Sequence, residues 1–468
     1  MKFISILITS GALLFSNTIA AQLVDLGSPY NKQSGLISQA KQQPQVSVVM
    51  QNWSLTTENV KALLSAKVGQ SIELDNPPRP ENDLQSDSPA TASALKLKRY
   101  ELYAPGAQIL VIEDGILREI PRPSLHAFAS ANDDMGLLVN IETGSVTGLY
   151  QLRGNRMEIT GDLKTGLEFE PLIFSDGTDG STYQCATTMA DQAGDPFADL
   201  AEALSSRSAE ITAVNTPAYQ TTIAIDTDME WMAGKSNNVN TALNYINSMF
   251  VNMNVFMERD LSLRLLIGTT YLRVNADPIS PQADIRDYLY DFGDYWRTEQ
   301  TTVERDFTML LSGENIGSNS FSGIAWLNQY CQDGFPGNTG SGIVTIGSYS
   351  VNRIGANASV GFISQFVGHE LGHNLGSPHT HCYNPTVDTC FNAEAGCYEG
   401  SVSCPAGGTG TIMSYCHFGG TNGANCGLSD SEFHPTVSGL IGSRITANSP
   451  SCIATLAASD IVFEDGFE

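Results

Sequence analysis

Basic residues are scarce in this chain. Its 468 residues hold 24 Lys plus Arg against 50 Asp plus Glu, a net charge of −26. Nucleic acid and anionic membrane surfaces both need a positive face, so neither is expected as a partner. Charge of either sign is thin, at 16% of residues, while 41% are hydrophobic. Such a chain buries a core and is not disordered as a whole. Long apolar runs are missing except at the extreme N-terminus, so no interior transmembrane helix is expected. Cysteine is absent before Cys185, and absent again from there to Cys331.

What is present at the N-terminus reads as an export signal. Met1-Lys2 carries one positive charge, Phe3 to Phe15 is mostly apolar, and SNTIAA ends in small residues with Thr18 and Ala20 at signal-peptidase spacing. Residues 1–20 are thus expected to direct secretion, and they are too short to span a membrane. Cysteine usage agrees. Eight of the nine cysteines crowd between Cys331 and Cys452, which in an exported chain implies up to four disulfides. Connectivity is not readable from spacing, because eight cysteines allow 105 pairings.

The chain changes character along its length. Residues 76–94 hold four prolines and few large apolar residues, as a linker or exposed loop does. From Leu95 to Phe174, short runs such as QILVIEDG and GLLVNIETG alternate with Gly, Pro and Asp and read as a small β-rich domain. FADLAEALSSRS is a short helical candidate. From Tyr219 onward strands and helices alternate. TTIAID, LSLRLLIGTTYLRV, DFTMLLSG and GIVTIGSY read as strands. NVNTALNYINSMFVNMNVFMERDL, a segment opening at Ser280-Pro281, and NASVGFISQFVGHELGHNLG read as helices. That alternation predicts an α/β sheet domain. After Gly376 the chain is Gly- and Cys-rich with little periodicity, as a disulfide-held region is.

Residues 369–379 read HELGHNLGSPH. His369 and His373 are four apart on the last helix, so they share a face and can bind one metal ion. Gly376 permits a left-handed backbone that ends the helix and brings His379 back as a third ligand. Three neutral imidazoles leave one tetrahedral position open, the arrangement of a catalytic zinc site, with Glu370 placed to take a proton from water. Downstream, TIMSY places Met413 in a turn that resembles the Met-turn of the metzincin metalloproteases.

The catalytic half, residues 215–453, resembles the reprolysin branch of that group: an opening strand and helix, GIAWLNQYC, HELGHNLGSPH and IMSYC all have counterparts. The resemblance implies a metzincin catalytic domain of α/β class, with a twisted mixed sheet, an active-site helix and a disulfide-rich C-terminal subdomain, preceded by a β-rich propeptide domain. It implies one catalytic Zn2+ on His369, His373 and His379, Glu370 as general base, and a disulfide between Cys331 and Cys452. Two departures stand out. Thr380 occupies the place where reprolysins usually have Asp. The first strand lacks the acidic residue of the branch's calcium site, so calcium is not carried over, although Asp306 matches one acidic position. Tyr415, two residues past Met413, is a candidate transition-state stabiliser of the kind other metzincin branches use, with packing beneath the site as the plainer role. The substrate-binding sheet edge is expected at GIVTIGSY. His381 reads as a surface histidine.

Cys185, in STYQCATT, is the odd cysteine. A thiolate is a strong zinc ligand, and propeptides of related proteases use a cysteine this way. Cys185 is therefore expected to bind the zinc of a proenzyme until cleavage near Arg207 releases it; a buried inert thiol or a disulfide would be the alternatives. The expected organisation is a signal peptide at 1–20, a propeptide at 21–207, a catalytic domain at 208–454 and an acidic tail at 455–468. The expected function is a secreted zinc metalloendopeptidase acting on proteins or peptides, with its own propeptide as inhibitor. The rival readings are an amidase of cell-wall or other non-protein amides and an idle binding module.

Overall fold

A computed structural model describes residues 52–77, 94–130, 134–152, 155–172, 184–187, 217–314, 322–339, 342–427 and 430–456. The segment 1–20, the helical candidate at 197–208, Arg207 and almost all of the tail lie outside these residues.

The N-terminal part builds an antiparallel sheet. A short helix α1 (Thr57–Ser65), capped by the Thr56 side chain on the Asn59 N–H, leads into strand β1 (Ser71–Leu74). Strands β2 (Leu95–Tyr100), β5 (Leu125–Ser130), β6 (Met135–Asn140), β7 (Ser145–Leu152), β8 (Asn155–Asp162) and β9 (Gly166–Pro171) follow in the order β1-β2-β5-β6-β7-β8-β9. Alternation along these strands puts Leu97, Phe128, Leu137, Val139, Ile159 and Leu167 into one core under α1.

The expectation from sequence is a small β-rich domain over residues 95–174. The structure differs. The hairpin β3 (Ile109–Glu113) and β4 (Ile116–Ile120) leaves that sheet and joins a second one. Its partner there is the strand Leu263–Arg273, met in parallel with Thr270 opposite Ile109 and Leu272 opposite Val111.

That second sheet carries the C-terminal half. Its elements are β10 (Tyr219–Thr227), helix α2 (Met229–Gly234), helix α3 (Val239–Leu261), β11 (Leu263–Arg273), helix α4 (Ile285–Glu299), β12 (Phe307–Ser312), β13 (Gly323–Ala325), the hairpin β14 (Phe335–Asn338) and β15 (Ile343–Ile346), β16 (Tyr349–Arg353) and helix α5 (Val360–Asn374). After these come helix α6 (Pro435–Ala447) and the two-residue strand β17 (Ala454–Thr455). The sheet order is β13-β16-β12-β10-β11-β3-β4, with β17 also pairing to β10. β16, β12, β10, β11 and β3 run parallel to one another, whereas the outer strands β13 and β4 are antiparallel to β16 and β3, and β17 is antiparallel to β10. The buried strands read as near-continuous apolar runs, as parallel strands covered on both faces do.

Helix α3 is buried nearly all round, as a helix sandwiched between layers must be. Ile246, Phe250, Val251 and Phe256 share one core with Ile223 and Ile267 of the second sheet and with Tyr100 and Leu138 of the first. Gly136 on β6 allows this approach: a Cβ there would come to 3.0 Å from Val251 and Val255. At the ends of β10 and β11, Arg273 holds Asp226 through two hydrogen bonds of 2.6 and 2.9 Å, and the Trp296 indole N–H donates to the same carboxylate. These bonds offset part of the cost of burying the pair, while burial still pushes the Asp226 carboxyl up.

Two local expectations are corrected. Helix α4 is capped by Asp284, whose side chain accepts from the Arg286 N–H, and not by Ser280. GIVTIGSY is not one edge strand. Among the described residues Ile343–Ile346 pairs with β14 alone, while Tyr349 opens β16, an interior strand between β12 and β13. The edge belongs to Gly323–Ala325. A three-residue strand offers too weak a periodicity to be read from sequence.

Among the described residues no helix is long and apolar enough to cross a membrane. Four disulfides tie the C-terminal region: Cys331–Cys452, Cys382–Cys397, Cys390–Cys416 and Cys404–Cys426.

Candidate metal centre

Helix α5 sets the first two imidazoles. His369 and His373, one turn apart, have their rings 4.8 Å from centroid to centroid. Gly376, at φ +102°, turns the chain out of the helix, and Arg444 from α6 bonds its carbonyl. Two residues later Pro378 leads into His379, whose extended backbone returns its ring to the same point. The His373 Nε2 lies 3.2 Å from the Nε2 of His369 and 3.2 Å from that of His379.

The other ring nitrogens are engaged elsewhere. His369 Nδ1 is 2.6 Å from the Ile412 carbonyl, His373 Nδ1 is 2.7 Å from the Ser377 carbonyl, and His379 Nδ1 is 2.8 Å from Glu394 Oε2. Each partner is an acceptor, so each Nδ1 carries the proton and each Nε2 presents a lone pair. Three lone pairs converging in a buried place repel one another unless a cation sits between them. Ligands about 2.0–2.1 Å from a tetrahedral zinc lie about 3.3–3.4 Å apart, close to the spacing seen. The donor set fits such an ion. Burial lowers His369 to about 3 and also drives His373 well below the usual imidazole range, which keeps both rings neutral, the form that ligates.

Glu370 points beside this cluster. It is completely buried, and its Oε1 has no hydrogen-bond partner among the described residues. Burial pushes its carboxyl up to about 8. The edge strand supplies the room it needs: a Cβ on Gly323 would run into Glu370 Oε1. On the far side of α5, a Cβ on Gly372 would meet the Met413 sulfur, so that methionine lies directly against the helix beside His373. The Met413 carbonyl accepts from the Thr380 N–H and hydroxyl, joining the turn to the segment that carries His379.

Residues 184–187 occupy the cleft. Cys185 is a buried free thiol. Its Sγ lies 3.2 Å from Glu370 Oε2 and 3.4 Å from His373 Nε2, and its donor atom with those of His369, His373 and His379 all fall within 4.8 Å of one another. Burial and the neighbouring Glu370 raise its pKa strongly. The segment runs parallel to the edge strand: Ala186 N–H donates to the Gly323 carbonyl at 2.8 Å, and Thr187 Oγ1 bonds both the N–H and the carbonyl of Ala325. Tyr415 packs on His379, with ring centroids 4.3 Å apart, and its hydroxyl donates to the Cys185 carbonyl at 2.6 Å.

The remaining histidines and acids fall as follows. His381 is fully buried, contrary to the surface position expected of it. Its Nε2 lies 2.9 Å from the same Glu394 oxygen that meets His379. Burial works against the Glu394 charge, but the two imidazoles outweigh it and hold the carboxyl at about 2. Sequence reading missed Glu394, because it looked for a carboxylate next to His379 and this one stands in NAEAGC. Asp306 accepts from Thr221 Oγ1 and the Thr222 N–H, which accounts for one of its carboxylate oxygens without an ion.

A helix-borne pair of imidazoles, a third from the following turn, a buried carboxyl and an adjacent sheet edge define the chemistry of a metallopeptidase. Residues 218–424 match the reprolysin-type model of metallo-peptidase family M12. Among solved structures, the chain is similar to metalloproteinase-II from Bacteroides fragilis, at 12% identity and a TM-score of 0.33, over 70% of this chain and 86% of that one. It also matches a chaperone–substrate complex at 14% identity and a TM-score of 0.29, over 50% of this chain and 35% of that one.

Proposed function

We propose that the protein is a secreted zinc metalloendopeptidase of metzincin type, made as a latent proenzyme. The observation that carries this reading is the convergence of three Nε2 lone pairs beside a buried, half-unpartnered carboxyl, with a free thiol lodged among them. His369, His373 and His379 would hold the zinc. When bound, zinc supplies Lewis-acid chemistry, acidifying water and polarising a carbonyl. Glu370 takes the proton of the attacking water and passes it to the leaving amine. Met413 props the helix at Gly372 without touching the reacting atoms. The edge Gly323–Ala325 pairs with an extended substrate, and Tyr415, once free of the Cys185 carbonyl, is positioned to donate to a developing oxyanion.

Residues 1–20 serve as the signal, 21–207 as the propeptide, 208–454 as the catalytic domain and 455–468 as a tail. Cys185 blocks the site in two ways: its sulfur takes the position water needs, and its flanking residues occupy the substrate edge.

Glu370→Ala tests the chemistry. It should leave the fold and zinc content intact and remove nearly all peptidase activity on casein; wild-type cleavage rates in this variant would refute the mechanism. Cys185→Ala tests latency. It should give an unprocessed chain that already cleaves peptides, and a fully latent variant would rule out the switch.

A further inference from the structure

We propose that Glu394 is the positioning residue of the third zinc ligand, carried on a disulfide-closed loop and braced by His381. The proposal rests on reading His379 as that ligand. The three imidazoles are not held alike. His369 and His373 stand on one helix and spend their Nδ1 protons on main-chain carbonyls at Ile412 and Ser377. His379 lies beyond the helix on extended backbone, and its Nδ1 meets a side chain instead, Glu394 Oε2 at 2.8 Å. Without that acceptor the ring is free to turn about its own bonds, and neither its orientation nor its tautomer is fixed. An ionised carboxylate does more than a carbonyl here, because it raises the basicity of the opposite nitrogen.

The carboxylate is itself held. Its side chain is only 7% exposed, and the loop carrying it is closed by Cys382–Cys397, whose first cysteine stands three residues after His379. His381 bonds the same Oε2 at 2.9 Å and lies parallel to His379, with rings 5.4 Å apart and 9° from coplanar directions. One oxygen thus takes two N–H groups from two stacked rings, which fixes its place from both sides. Thr380, the residue between those two histidines, contributes no charge; its hydroxyl goes to the Met413 carbonyl. A carboxylate 15 residues downstream of His379 performs the orientation.

The test is zinc affinity of the full chain, measured by competition with a chromophoric chelator. Glu394→Gln, which keeps the shape and an acceptor but not the charge, should weaken zinc binding measurably, and Glu394→Ala by about 10–100-fold. The thermal midpoint of the zinc-free Glu394→Gln protein should stay near that of the wild type, which separates orientation of a ligand from simple support of the loop. A folded Glu394→Gln protein with wild-type zinc affinity would overturn the proposal. Nitrogen-15 spectra of the zinc-loaded wild type give an independent readout: His379 should be bound through Nε2 and keep its Nδ1 proton, and binding through Nδ1 would overturn it. A wild-type chain that takes up no zinc would instead overturn the reading of His379 as a ligand, a different result from either.

Discussion

The stretch from Ala218 to Asn374 and the stretch after Gly376 meet at the metal centre but are built differently. The first is layered: parallel strands, helices on both faces, and a core in which Trp231, Phe250, Phe256, Phe292 and Trp296 are completely buried. It has no disulfide within it. The second, among its described residues, has a three-residue 3-10 turn and helix α6 as its helical structure. It relies on three internal cross-links and a fourth that reaches back to Cys331. His369, His373 and Glu370 stand on the first; His379, Glu394, Met413 and Tyr415 stand on the second. The centre is a joint between a packed body and a stapled one, so a metal ion bound there would link them.

The sharpest way to break this contrast is reduction. Opening the three cross-links within the second stretch releases constraints worth about 3 kcal/mol each for loops of this size. It should abolish zinc binding and activity while far-UV circular dichroism, which reports mostly the layered body, changes little. Retention of stoichiometric zinc in the reduced, alkylated protein would show the two stretches to be equally core-held. Next in size is Phe250→Ala. It should cost about 3–5 kcal/mol and lower the melting temperature, with the disulfides still formed.

Gly323→Ala acts at the joint from the side of the sheet. The new methyl must displace Glu370, and a displacement near 1 Å costs about 100-fold in turnover. Steady-state kinetics on the processed enzyme should show the loss in kcat with zinc content unchanged. Met413→Leu acts from the stapled side and should lower stability by about 1 kcal/mol, without altering the ligand set, as a volume-conserving swap does.

The smallest expected effect lies in the body alone. Burial pushes the Asp277 carboxyl up to about 7, against its hydrogen bond from the Met229 N–H and with help from Asp228 and Glu230. Its folded pKa stands above the unfolded value of about 3.9, so the protonated form is favoured by folding. The contribution is present at low pH and is lost as pH rises from about 4 through about 7. Asp277→Asn should therefore gain on the wild type at pH 8 relative to pH 4, by less than about 1 kcal/mol, since solvent screens a half-exposed site. Equal melting temperatures for the two proteins across that range would contradict it.

What could be read beforehand follows the same division. HELGHNLGSPH was legible because helix period, glycine and third histidine are all local, and the strands at TTIAID and DFTMLLSG were legible because parallel strands are apolar throughout. The odd count of cysteines drew attention to Cys185 without any geometry. Glu394 was not legible, since nothing in NAEAGC says which way a disulfide loop folds. The short edge at Gly323 was passed over for the more apolar GIVTIGSY. The segment before α4 hid its cap, because Ser280-Pro281 matches the usual signature and Asp284 performs the bonding.

The hairpin that crosses from one sheet to the other has a consequence for how the chain is made. Ile109 lies opposite Thr270, a separation of 270 − 109 = 161 residues. Strands β5 to β9 meet their neighbours through short turns and can pair as soon as they are synthesised, whereas β3 waits with an open edge until β11 arrives. Non-local parallel pairing of this kind is slow to form. A chain begun at Ala218 would have the opposite difficulty, with β11 as a bare edge able to pair with other copies. The second sheet is thus complete only when chain from both sides of residue 217 is present, so its stability depends on the N-terminal hairpin staying in place.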